Sequence, residues 1–159
     1  MTQRSGTRNS LTSTPVQIGA LVVGVVFLLA GIMGFIPGIT TNYDAMTFAG
    51  HESEAMLLGI FQVSVLHNIV HLLFGVAGVA MARLASSARL FLIGGGIIYL
   101  VLWIYGLAID HQSEANFIPV NTAADWLHFW LGIGMVALGI LLPMLNRGRA
   151  GTRPTHQFE

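Results

Sequence analysis

Cysteine and lysine are both absent from this chain of 159 residues, and charge of any kind is scarce. Without cysteine there are no disulfides, no thiol chemistry and no cysteine-ligated metal. Only 9% of the residues are charged, against roughly 25% in an ordinary soluble domain, too few to cover a soluble surface. All seven basic residues are arginine. With no lysine-rich patch and no soluble domain, nothing supports binding to nucleic acid.

What is abundant is apolar: 54% of the chain is hydrophobic, and 19 residues are glycine, as suits helices packed closely in lipid. Four apolar segments approach or exceed the roughly 20 residues that cross a bilayer as a helix. They run over residues 16–36, 64–82, 88–109 and 123–145. Thr14-Pro15 opens the first as cap and first helical residue, and Pro37-Gly38 closes it. The expected organisation is a disordered tail over 1–14, a four-helix transmembrane domain over 15–146, and a polar tail over 147–159. The first span is too long for a secretory signal and lacks a clean cleavage site, so it reads as an anchor.

Charge assigns the sides. Arg4, Arg8, Arg83, Arg89, Arg147, Arg149 and Arg153 fall at one end of the spans; Asp44, Glu52, Glu54, Asp110, Glu114 and Asp125 fall at the other. By the positive-inside rule both termini are cytoplasmic and both longer loops face outward. These loops also carry His51 and His111, and the plain reading of such acidic runs is a solvated surface. Asn42-Tyr43-Asp44 and Ala115–Pro119 look ordered enough to fold over the mouth of the bundle.

The second and fourth spans resemble each other. Asn68-Ile-Val-His71-Leu-Leu-Phe-Gly75 aligns with Asp125-Trp-Leu-His128-Phe-Trp-Leu-Gly132, and capping residues Ser64 and Asn121 stand equally far before each histidine. Both spans run outside to inside, which predicts a parallel repeat of a two-helix unit. It also makes residues 55–63 an interfacial lead-in rather than membrane helix. Helical spacing collects His67, His71, Gly75 and Gly78 on one face of the second span, and Asp125, His128, Gly132 and Gly139 on one face of the fourth. The first offers Gly24, Gly31 and Gly34, the third Gly96, Tyr99, Trp103 and Gly106. The expected fold is therefore all-α, an integral membrane four-helix bundle with a polar cluster at its outer end and Trp126 and Trp130 in the interface belt.

That cluster, His67, Asn68, His71, Asp125 and His128, is the candidate site. The structural reading has Asn68, His71, Asp125 and His128 hydrogen-bonding across the second and fourth helices to fix their register. A second reading is metal or haem: His67 and His71 are spaced i, i+4, Asp125 and His128 repeat a carboxylate-x-x-His spacing, and His71 with His128 could clamp a haem. A third is a proton relay or small transporter, since histidine titrates near neutrality. An enzyme site lacks a nucleophile. The expectation is a non-enzymatic structural or accessory envelope component with no cofactor. The alternatives are haem or a divalent metal on His67, His71, Asp125 and His128, and then transport. The expected partner is the lipid bilayer, together with other membrane proteins or a second copy of the chain.

AGHESEAMLLGIFQVSVLHNIVHLLFGVAG and the later NFIPVNTAADWLHFWLGIGM resemble the family catalogued as domain of unknown function 4383, small four-span bacterial membrane proteins common in actinobacteria. The resemblance covers the first span to the end of the fourth. It implies the same topology and interest in the histidine cluster, and it carries over no catalytic role.

Overall fold

Four helices follow one another in the computed structural model, which describes residues 14–150, with side chains to 145. They are α1 (Pro15–Met33), α2 (Val65–Met81), α3 (Ala85–Ala108) and α4 (Thr122–Ala150). The remaining residues of both tails lie outside the described residues. Helices α1, α3 and the Thr122–Leu145 part of α4 are long and apolar enough to cross a membrane; α2, with 17 residues, is shorter and also apolar. This is a helical membrane bundle.

Helix ends follow local chemistry. Ser64 caps α2 by accepting a hydrogen bond from the His67 amide, and Asn121 Oδ1 does the same for the Ala124 amide at α4. Thr14 sits in cap geometry before Pro15, but its hydroxyl donates to Gln17 Oε1 at 2.8 Å instead of capping the backbone. α1 ends at Met33, not Ile36, because the Thr40 hydroxyl takes the Met33 carbonyl and the following turn tightens. α3 begins at Ala85, ahead of the expected residue 88. α4 runs through Pro143 to Ala150.

Between α1 and α2 lies an element the apolar pattern does not announce. Strands β1 (Thr40–Thr41), β2 (Met56–Leu57) and β3 (Phe61–Gln62) form a small antiparallel sheet in the order β1-β2-β3. The lead-in over 55–63 is thus a hairpin, turning at Leu58-Gly59, both with positive φ (56° and 70°).

The helices pack in two tight pairs, α1 with α2 and α3 with α4, and α1 also meets α3. The two pairs use equivalent contacts. A Cβ on Gly24 would lie 3.0 Å from the Gly75 carbonyl oxygen and 2.8 Å from the Val79 amide; one on Gly96 would lie 2.7 Å from the Gly132 oxygen and 2.9 Å from the Val136 amide. Leu28 covers Gly75 as Leu100 covers Gly132. Gly34 abuts the Asn68 side chain as Gly106 abuts Asp125. Phe27 packs on His71 with ring centroids 5.6 Å apart, and Tyr99 on His128 at 5.1 Å. Phe27 and Tyr99, each the other's counterpart, touch at 5.3 Å where the halves meet. The repeat therefore includes α1 and α3 as well as the histidine helices. Glycine permits each close approach, since a side chain would strike backbone at Gly24 and Gly96 and the buried Asn68 and Asp125 side chains at Gly34 and Gly106.

Candidate functional site

The two longer loops close over one end of the bundle through backbone-directed bonds. The Gly50 amide donates to the Phe117 carbonyl at 2.7 Å, and Asn121 Nδ2 to the Ile60 carbonyl at 2.8 Å. Asn116, fully buried, staples the second loop: its Nδ2 donates to the carbonyls of His111 and Val120, and its Oδ1 accepts the Val120 amide. Ser53, also fully buried, donates to the Val63 carbonyl at 2.6 Å and ties the hairpin down.

Beneath this cap lie the histidines. His67 is buried, and its Nδ1 stands 3.0 Å from the Pro119 carbonyl of the second loop. His71 Nδ1 stands 3.0 Å from the His67 carbonyl, one turn back. A carbonyl only accepts, so Nδ1 carries the proton in both rings, and in the neutral ring Nε2 is left as a lone-pair acceptor. The two rings stack with centroids 4.6 Å apart and 11° between planes, as i, i+4 spacing on a helix allows. His128 faces them from α4; it is buried, yet its Nδ1 has no hydrogen-bond partner, unlike that of its counterpart His71.

The acid goes elsewhere. Asp125 is 1% exposed, and its Oδ2 pairs with His111 Nε2 at 3.0 Å; the same nitrogen lies 3.1 Å from the Gly106 carbonyl. Oδ1 of Asp125 has no partner. Asn68, its counterpart, is equally buried and reaches only the Met46 sulfur, at 3.9 Å.

These positions correct the expected register bond. Asn68, His71, Asp125 and His128 do not hydrogen-bond across α2 and α4; the connections run from helix to loop, through His67 to Pro119 and Asp125 to His111. Among the described residues, no three His, Asp or Glu side chains converge as a metal ion requires. No described histidine ring hydrogen-bonds a hydroxyl. His111 was assigned by its acidic neighbours to a solvated loop, and the structure turns it inward. Gln17 carried no sequence signal: at the opposite end of the bundle its Nε2 donates to the Ala82 and Arg83 carbonyls, both at 3.0 Å, and closes the end of α2. The α1–α3 equivalence could have been found from the identical spacing of Gly24–Gly34 and Gly96–Gly106.

Two apolar cavities flank the histidines. One, of about 160 Å³, opens in the α1–α4 groove under the hairpin; the other, of about 260 Å³, opens in the α2–α3 groove under the second loop. The repeat relates the two grooves, and His67, His71, Tyr99 and His128 line both.

A family model described as a domain of unknown function matches residues 17–141. No curated protein and no solved structure matches the chain.

Proposed function

The chain belongs to the domain of unknown function 4383 family, and we propose that it is a non-enzymatic structural or accessory component of a bacterial inner membrane. In this reading it crosses the bilayer four times with both termini in the cytoplasm. One observation carries the non-enzymatic part. The buried polar side chains that find partners are occupied in bracing the fold, mostly on main-chain carbonyls: Gln17 on Ala82, His67 on Pro119, Asn116 on Val120. A catalytic set needs the opposite, an acid, base and nucleophile aimed at one another.

Topology has separate support. At 1.5 Å per residue, the 17 residues of α2 sit at the short limit of a span. Arg83 and Arg89 lie at the α2–α3 turn, and Asp44, Glu52, Glu54, Asp110 and Glu114 in the loops at the other end. Because the chain lacks cysteine, single replacements report sidedness cleanly. Ser113→Cys should react with an impermeant maleimide in intact cells, and Ser86→Cys only after lysis; the reverse pattern would invert the topology. For the site, the purified protein should be colourless and metal-free, with His71→Ala losing thermal stability alone. A Soret band, or stoichiometric metal lost in His71→Ala, would replace the structural reading with a cofactor-binding one.

A further inference from the structure

The bracing bonds of the histidines use one ring nitrogen each and leave the other. Nδ1 of His67 and of His71 are engaged by carbonyls, while among the described residues neither Nε2 has a protein partner, and both rings line the cavities. The two rings stack with centroids 4.6 Å apart, and both line the two cavities. His128, 6% exposed and with Nδ1 unpartnered, adds hydrogen-bonding capacity on the facing wall. A buried polar group left unpaired costs about 1–3 kcal/mol, so a molecule that pairs with it is held at this spot. Apart from Asn68, Tyr99 and Tyr105, the rest of the lining is apolar.

We propose that the two cavities and the histidines between them form a binding site for a small neutral phenol. Its hydroxyl would donate to Nε2 of His67 or His71, and its ring and alkyl substituent would fill the cavities. Three observations fix the class. Both acceptors are lone pairs in an apolar enclosure, which favours a neutral donor over an anion or a cation. The wall is aromatic, with Tyr99 lining both cavities and Phe61 the smaller. The volumes, about 160 and 260 Å³, match a ring-sized body, since an apolar cavity of about 150 Å³ takes up benzene.

One break in the repeat gives the site direction. Ala124 stands where His67 stands in the other half, so the stacked acceptor pair belongs to α2 alone. Access is from the lipid side: Leu58 and Leu127 on the smaller cavity and Phe117 and Ile98 on the larger are about half exposed. The bracing reading and the binding reading use different atoms of the same rings, so either can fail alone.

The full chain in detergent should be titrated with 4-butylphenol and with 4-butylanisole, which has the same body without the donor. Thermal shift reports binding, and 15N resonances of labelled histidine report the nitrogen involved. The expected result is at least tenfold tighter binding of the phenol, with the His67 and His71 Nε2 signals moving. His71→Phe keeps a stacked ring without the acceptor and should reduce the preference several-fold. Leu102→Trp fills the larger cavity without touching a polar group and should weaken binding of both probes. Equal affinities for the two probes in the unmodified protein would overturn the proposal whatever the variants do. So would an unchanged preference in a folded double variant His67→Phe, His71→Phe, which removes both acceptors.

Discussion

His111 Nε2, in the loop just after α3, lies 3.0 Å from Asp125 Oδ2 in the first turn of α4. The only acidic side chain at the head of α4 is therefore held by a loop residue and not by the helix that repeats it. Asp125 is buried and packs directly on Gly106. His111 is the more exposed partner, so it shields the acid from solvent.

Removing His111 should therefore be costlier than removing the charge it faces. His111→Ala leaves a buried carboxylate unpaired and should destabilise the protein by about 1–3 kcal/mol. Asp125→Asn copies what the other half of the repeat has at Asn68, and should cost less. In the Asp125→Asn background, His111→Ala should lose most of its effect. Thermal melts of the four proteins in one detergent complete the cycle.

Glycines sort into two classes. Gly34→Ala and Gly106→Ala would drive a methyl into Asn68 and Asp125, and Gly24→Ala and Gly96→Ala into the backbone of the paired helix. Each should cost about 1–3 kcal/mol, as overpacking does. A Cβ on Gly94 or Gly134 meets nothing within 4 Å. Gly94→Ala and Gly134→Ala should be neutral or stabilising by up to about 1 kcal/mol. Melting temperatures rank the six variants.

Leu58 is held at φ 56° at the tip of the hairpin, a conformation that costs a side-chain-bearing residue about 1–2 kcal/mol and that asparagine tolerates. Leu58→Ala and Leu58→Asn both lose the leucine's apolar contact with the smaller cavity, but only the second relieves the backbone. Leu58→Asn should be the more stable of the two by about 1 kcal/mol. Equal melting temperatures would show that the turn opens freely.

Gln17 closes the C-terminal end of α2 on two carbonyls, and buried hydrogen bonds in membrane bundles average about 0.6 kcal/mol. Gln17→Leu should lower stability by about 1 kcal/mol for the pair. Gln17→Glu should lower it further, because a carboxylate offers no donor to the Ala82 and Arg83 carbonyls. Hydrogen exchange at the α2–α3 turn should quicken in both.

Much of the helical architecture was legible because it is written locally. A run of apolar residues has to satisfy its own backbone in lipid, so the helix follows from length and hydropathy. Ser64 and Asn121 cap the helices they precede through their own side chains. The Asn68–Gly75 and Asp125–Gly132 strings announced half of the repeat, because both share one sequence pattern. The other half hid in α1 and α3, where Phe27 and Tyr99 are equivalent in place but different in type.

The hairpin and the partners of the polar cluster were not legible, and the reason is physical. The strands are two residues each, too short for alternation to stand out. The groups that hold Gln17, His67 and Asn116 are backbone carbonyls, which every residue owns and which leave no mark in a sequence. His111 belongs to Asp125 only because the second loop folds back over α4. By itself, then, the sequence determined that the chain is a bundle of apolar helices with histidines and amides at one end, since periodicity and lipid act segment by segment. Tertiary structure alone decided which nitrogen of each histidine is occupied, which is free, and that two cavities open beside the free ones. Those facts depend on contacts between segments far apart in the chain.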